Sequence, residues 1–336
     1  MWTFLSSTKE ITEQLKKEFP EAAIGITGCR SSGEPYPPCE YDYLIVHEGA
    51  KRIERRLSKN NFIELLFLDK NTIQNTSENT VILALLDMTV ISDPGWDLIP
   101  IVYKIKAEFS KHLQQYAKRI LFKSLSGLGR FKDAIDAGNT LDAGFWLLNS
   151  SNSFAKAIIA LNNKVPRGSH LLNDFRTAVA VSPDMFEIWS EATGANLATK
   201  VAVTRRLDAL QELLRVGSIF SDSIIFSDSK YAYMFIEATS NYLVKSHAIV
   251  DAYCYLGLEI TRVIDELYEL NCRIKGKPPL FHEMFSHLTN NEKPLRKLSM
   301  QTIRLIGINS EEQILKEQSS RIKNLIQKVA KNISGE

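Results

Sequence analysis

The chain has 336 residues, of which 44% are apolar and 24% charged, and its net charge is +2. This length suggests about two domains, and the composition is that of a globular protein rather than a disordered or fibrous one. The small net charge provides no general attraction for nucleic acid, which makes RNA or DNA an unexpected partner.

The cysteines and the lengths of the apolar runs indicate the cellular compartment in which the protein is expected. The four cysteines form no CxxC pair and no zinc-type spacing, and are interpreted as free thiols in a reducing compartment. The N-terminal sequence lacks the apolar core of a secretion signal, and no apolar run reaches about 18 residues. The sequence therefore predicts a cytoplasmic protein with no membrane partner.

The first third of the chain alternates between helical and strand-like patterns, which predicts a small α/β layer of four strands. The charged segment "GAKRIERRLSKN" is interpreted as an exposed helix, with a surface near nucleic acid as the less favoured alternative. Strands are predicted within 22–28, 40–48, 61–70 and 88–96, and helices within 6–19, 49–60 and 71–87.

The rest of the chain is almost entirely helical in pattern, with a turn-rich linker predicted at 219–229. Helices are predicted within 97–122 (one long helix or two joined ones), 140–163, 195–217, 229–270, 291–307 and 310–332. The predicted fold class is α+β, with a small mixed-sheet domain at 1–118 and an all-α body at 119–336. The body divides into sub-bundles 119–220 and 228–336, and is large enough to form a homo-oligomer or grip a partner.

Two carboxylates stand at the front of the second predicted strand. Glu40 and Asp42 are two residues apart, so a strand would project them to the same face, with Tyr41 on the other. Carboxylates this close repel unless one is protonated or a cation lies between them. Mg²⁺ prefers such hard oxygen ligands. The alternative is that both are edge-strand charges that oppose aggregation.

The loop before these carboxylates suits a phosphate group. Gly28 permits close backbone approach, while Cys29, Arg30 and Ser31 offer backbone N–H groups, a hydroxyl and a guanidinium. A short helix beginning here would add a positive dipole. Arg30 could instead be solvated, and Cys29 could be a reactive thiol near a helix start.

The segment "GITGCRSSGEPYPPCEYDYLIV" resembles the signature of the nucleotidyltransferase superfamily related to DNA polymerase beta. In that family a Gly-Ser turn holds the triphosphate of a nucleotide, an acidic pair binds two Mg²⁺ ions, and a third carboxylate lies on a neighbouring strand. Gly28 matches the glycine and Asp42 the second acid. Cys29 stands where serine is usual, and Glu40 where aspartate is usual.

Glu64, within the apolar run "NFIELLFL", is the candidate for the third acid, although a solvent-facing position is an equally open interpretation. Further along, "SFAKAIIALNNKVPRGSHLLNDF" is similar to the helical domain of the kanamycin-type and minimal nucleotidyltransferases.

The resemblance implies a function. A Mg²⁺-dependent enzyme would transfer a nucleoside monophosphate from an NTP to a hydroxyl on a small molecule, a protein or an RNA, and release pyrophosphate. Glu40 and Asp42 would hold two metal ions, and Glu64 would complete the site as a ligand or general base. The alternative is a catalytically degenerate member that acts as a nucleotide sensor or protein partner. An open cleft where the three carboxylates converge favours the enzyme, and a side chain or a salt bridge to Arg30 that fills this cleft favours the alternative.

Overall fold

The computed structural model describes residues 2–49, 51–220, 223, 225–276, 278–289 and 298–334. The chain divides into two compact units, with the boundary between Leu113 and Gln114, against a predicted domain boundary after residue 118. The first unit contains a small mixed sheet and the second is helical, which confirms the predicted α+β class.

The first unit contains five strands and the helices that cover them. The strands are β1 Ile24–Thr27, β2 Tyr41–Val46, β3 Arg52–Ser58, β4 Asn61–Leu68 and β5 Thr89–Ser92. The helices are α1 Trp2–Glu18, α2 Gly28–Ser32, α3 Lys70–Gln74, α4 Asn79–Asp87 and α5 Ile99–Ala107. The sheet order is β3-β4-β2-β1-β5, in which β2 and β4 are parallel and the other neighbours antiparallel.

Alternating side chains of the strands build a core on each face of this sheet. One face, with Tyr41 and Tyr43, packs against Ile11 and Leu15 of α1. The other face, with Leu44, packs against apolar residues of α3, α4 and α5. Because Asp42 is two residues before Leu44, it lies on the face covered by α3–α5.

The predicted helix at 49–60 is wrong, because this segment contains strand β3. Its Lys, Arg and Glu residues favour a helix locally, but pairing with β4 overrides that preference. Lys59 and Asn60 both have positive φ, 47° and 66°, as a two-residue hairpin turn requires, and this turn joins β3 to β4. The sheet therefore has five strands instead of the four predicted.

The second unit is built from helices, and α6 crosses into it from the first. Their bounds are α6 Phe109–Asp136, α7 Thr140–Leu161, α8 Leu171–Thr177, α9 Pro183–Thr193, α10 Lys200–Gly217, α11 Ser229–Lys245, α12 Ile249–Ile274, α13 Met284–Thr289, α14 Met300–Ile306 and α15 Glu312–Ser334. The pattern at 229–270 predicted one helix, but the chain breaks at His247, whose φ is 62°.

Besides residue 50 of the segment 49–60, two further predicted segments fall partly outside the described residues. These are the linker at 219–229, where residues 221, 222 and 224 are not described, and the helix at 291–307, which is described only from residue 298.

Helix α7 lies at the centre of the second unit and is buried continuously from Asp142 to Ala155. Some of its polar side chains find partners on neighbouring helices, whereas Ser151 Oγ and Asn152 Nδ2 are buried with no described hydrogen-bond partner. Ser150 and Ser124 of α6 exchange hydrogen bonds, each hydroxyl donating to the other residue's carbonyl oxygen at 2.8 Å. Such pairing is what allows polar residues to lie in a helix buried on every side. Within the described residues, no helix combines the length and apolarity needed to cross a membrane.

Candidate functional site

One row of register partners crosses four strands of the sheet. Arg55 of β3 pairs with Glu64 of β4, Glu64 pairs with Asp42 of β2, and Asp42 pairs with Thr27 of β1. Register partners point to the same face, and neighbouring strands are about 4.8 Å apart. The sheet therefore brings the carboxylates of Asp42 and Glu64 side by side, although β3 separates their strands in the sequence.

The turn from β1 into α2 approaches Asp42 closely. Gly28, the first residue of α2, has φ +72°, and a Cβ placed on it would lie 2.6 Å from Asp42 Oδ2. Thr27 fixes the end of β1, because its hydroxyl donates to the carbonyl oxygen of Ala84 at 2.8 Å. The predicted short helix after the glycine is present, and only a residue without Cβ fits where its backbone meets the carboxylate.

Glu40 lies immediately before β2, which begins at Tyr41. Its side chain is half-buried, and its carbonyl oxygen accepts a hydrogen bond of 3.2 Å from Arg30 Nε. Tyr41 is buried on the opposite face of the sheet from Asp42, as predicted.

Arg30 organises the proline-rich loop between α2 and β2. Its Nε and Nη2 donate to the carbonyl oxygens of Pro37 and Cys39, the shortest contact being 2.6 Å from Nη2 to Cys39. The guanidinium lies over the Tyr41 ring, 3.6 Å from its centroid. Burial lowers the pKa of this guanidinium. Arg30 was predicted either to contact phosphate or to be solvated. In the structure these donors hold the loop, and phosphate contact stays a prediction.

The two remaining residues of the predicted phosphate turn are also engaged locally. Cys29 is buried, as is Cys39, and neither forms a disulfide bond. The Ser31 hydroxyl shares a 2.8 Å hydrogen bond with the hydroxyl of Thr89 in β5. Of the residues predicted for this turn, Gly28 is the one whose backbone lies close to a candidate metal ligand, the carboxylate of Asp42.

Glu64 has a partner that the sequence did not predict. Arg55 Nε lies 3.0 Å from Glu64 Oε2, with side-chain exposures of 11% and 28%. This ion pair balances one of two adjacent carboxylates, which lowers their mutual repulsion. A hairpin formed by 52–68 would have placed Arg55 opposite Glu64 in register. The assignment of 49–60 to a helix prevented this prediction.

The donor chemistry of this row fits a hard divalent cation. Asp42 and Glu64 offer carboxylate oxygens from adjacent strands. Glu40 lies two residues before Asp42, just ahead of β2, and Gly28 leaves space beside Asp42. Arg55 competes with a cation for Glu64. The carboxylate oxygens of Glu40, Asp42 and Glu64, which are all described residues, do not all lie within 4.8 Å of one another, so the three do not converge as predicted. Asp42 and Glu64 fit a metal ion that takes its other ligands from water or phosphate, provided that Arg55 shares or releases Glu64.

Comparisons with known proteins add little to this site. No family model matches the chain, and no curated protein does either. Among solved structures, a nucleotidyltransferase-like protein from Exiguobacterium sibiricum 255-15 is 10% identical, with a TM-score of 0.34, over 80% of this chain and 92% of that chain. Similarity at this level carries no weight for function.

Proposed function

We propose that the mixed-sheet unit binds a magnesium–nucleotide complex and transfers a nucleoside monophosphate to a hydroxyl acceptor, with release of pyrophosphate. The observation that supports this most is the register of Asp42 and Glu64 on adjacent parallel strands. The close approach of Gly28 to Asp42 supports it further, because it places a helix start beside the candidate metal ligand.

Each residue of the site would have a separate role. Asp42 and Glu40 would hold the metal, and the backbone N–H groups that follow Gly28 would bind phosphate oxygens. Glu64 would accept the proton of the acceptor hydroxyl or serve as a further ligand, and Arg55 would position its carboxylate. When bound, Mg²⁺ neutralises the triphosphate and lowers the pKa of a coordinated hydroxyl.

A specific observation favours a second candidate, a protein of the same fold that binds nucleotide without turning it over. Arg55 is already paired with Glu64, and the donors of Arg30 are directed to the loop between α2 and β2. Both contacts stabilise the unit without nucleotide, as would be expected of a sensor. In this candidate, Asp42 and Gly28 would be the binding determinants.

Two assays test the candidates, and the second of them separates the two. Magnesium-dependent binding of a non-hydrolysable NTP, measured by calorimetry, is expected for both. Pyrophosphate release from labelled NTPs, measured with an aminoglycoside, the protein itself and a tRNA as acceptors, is expected only for the transferase. Binding without release with all three acceptors would support the sensor. Absence of binding would contradict both.

A further inference from the structure

The helical unit contains a cavity that the nucleotide site does not use. Its volume is about 640 Å³, and it is lined by α7, the end of α9, α10, the α14–α15 connection and α15. Cavities that hold small organic molecules typically measure about 300–1,000 Å³. The cavity therefore has room for a ligand of metabolite size.

Arg206 of α10 lines this cavity and is only 1% exposed. It donates from Nε to the carbonyl oxygen of Ile306 at 2.9 Å and from Nη1 to that of Tyr253 at 2.7 Å. The guanidinium lies 3.4 Å from the centroid of the Tyr253 ring. A Cβ on Gly257 would lie 2.6 Å from Nη1, so α12 leaves space for this group. The carbonyl oxygens, the tyrosine ring and the glycine together accommodate an arginine side chain at residue 206.

The charge of Arg206 has no counter-ion in the part of the chain that the structure describes. No described carboxylate acts on this guanidinium; the groups that do are the side chains of Tyr253 and Cys254. Guanidinium remains charged in proteins and offers five N–H donors, of which two bind described backbone carbonyl oxygens. A buried charge without an opposite charge is unfavourable, even above an aromatic ring. An anion in the cavity would supply the missing partner.

The lining defines the anion further. Glu191 is paired with Arg321, but Glu311 and Glu317 also line the cavity and would repel a highly charged ligand such as a triphosphate. Much of the remaining wall is apolar, from Leu148, Leu197, Ile308, Ile314 and Leu315. We propose that this cavity binds a small organic monocarboxylate, whose two oxygens meet the Arg206 guanidinium and whose apolar body lies against these side chains.

The test uses the full chain and three monocarboxylates as probes: hexanoate, octanoate and 4-phenylbutyrate. Thermal shift and calorimetry compare each with a neutral counterpart, hexan-1-ol in the case of hexanoate, and with hexyl phosphate. The variants are Arg206→Met and, as a matched control on the same helix, Arg205→Met, which changes an exposed arginine. Ile314→Trp narrows the cavity and leaves the arginine in place, in case Arg206→Met does not fold.

We expect at least one monocarboxylate to stabilise the wild type and Arg205→Met equally. Arg206→Met should bind it about 10- to 100-fold more weakly, as loss of charge-assisted hydrogen bonds implies. Ile314→Trp should weaken binding without lowering the melting temperature of the free protein. Equal stabilisation by hexan-1-ol would overturn the anion site, tighter binding of hexyl phosphate would overturn the monocarboxylate class, and no stabilisation by any of the three probes would overturn the proposal.

Discussion

Replacing Gly28 with alanine would bring the new Cβ against one oxygen of the Asp42 carboxylate. The new Cβ would lie 2.6 Å from Asp42 Oδ2, at a φ of +72° that L-residues rarely adopt. Gly33, at the other end of the same short helix, is a matched control. Its φ is +82°, and a Cβ there meets nothing within 4 Å.

The two substitutions share one effect and differ in another. Left-handed backbone costs about 1–2 kcal/mol for a residue with Cβ, so both variants should lose about that much stability. Only Gly28→Ala also forces the Asp42 carboxylate to retreat by about 1 Å, because non-bonded atoms prefer separations of about 3.5–4 Å. A displacement of this size in a reacting group costs on the order of 100-fold in rate.

Calorimetry with a magnesium-bound, non-hydrolysable NTP measures the difference directly. We expect Gly28→Ala to bind at least about tenfold more weakly than the wild type, which corresponds to about 1.4 kcal/mol. Gly33→Ala should bind like the wild type once both are measured well below their melting temperatures. Equal affinities for the two variants would refute the inference that the Gly28 approach to Asp42 serves nucleotide binding.

Two further predictions concern charge. Arg55→Met removes a cation that competes for Glu64, so Mn²⁺ affinity measured by electron paramagnetic resonance should rise about two- to fivefold, as expected for a partly exposed ion pair. Burial raises the pKa of Asp142 from its ordinary value of 3.8 to about 6, although its carboxylate accepts a hydrogen bond from the Phe285 N–H. The folded state binds the proton of Asp142 more tightly than the unfolded state does, which adds at most ~3 kcal/mol to the free energy of unfolding. This contribution is fully present below pH ~4 and is lost as the pH rises through about 6. In urea unfolding at pH 4 and pH 7, the wild type should therefore lose unfolding free energy from Asp142 at the higher pH, and Asp142→Asn should not.

Each of these variants has a control. Arg56→Met changes a neighbouring arginine of β3 whose partners are Glu18 and Glu54, and should leave Mn²⁺ affinity unchanged. Asp133→Asn changes an exposed aspartate of α6, and its unfolding free energy should follow the wild-type pH profile. Unaltered Mn²⁺ affinity in Arg55→Met, or parallel pH profiles for Asp142→Asn and wild type, would contradict the respective reasoning.

The sequence predicted the strand that carries Asp42 because its apolar run has a single interpretation, a buried strand. It also placed Glu64 on a strand, since in "NFIELLFL" that residue lies between apolar neighbours. Whether the two strands are adjacent depends on which strands pair, and periodicity contains no information on pairing. The register of β2 with β4 therefore had to come from the structure.

Strand β3 was missed for a different reason. Its residues are individually good helix formers, and on an edge strand only a few positions need to be apolar. With β3 assigned to a helix, Arg55 could not be placed beside Glu64. The usable signal was Asn60, because asparagine accepts the positive φ of a tight hairpin more readily than most residues.

The buried Arg206 shows how a charged residue can be found from spacing alone. Val203, Arg206, Leu207 and Leu210 follow the i, i+3, i+4, i+7 pattern of a buried helix face, and all four are buried. An arginine within such a stripe must find partners inside the protein. Those partners, the carbonyl oxygens of Ile306 and Tyr253, come from segments distant in sequence and are not predictable from it.

The measurement that tests the central claim most directly is titration of the wild type and Asp42→Asn with a non-hydrolysable NTP, with and without Mg²⁺. Asp42 is the one carboxylate that pairs with Glu64 in register and also lies against Gly28. The account predicts magnesium-dependent binding in the wild type that is lost in Asp42→Asn, while the variant keeps its fold. Binding that is equal in the two proteins, or independent of Mg²⁺, would contradict it.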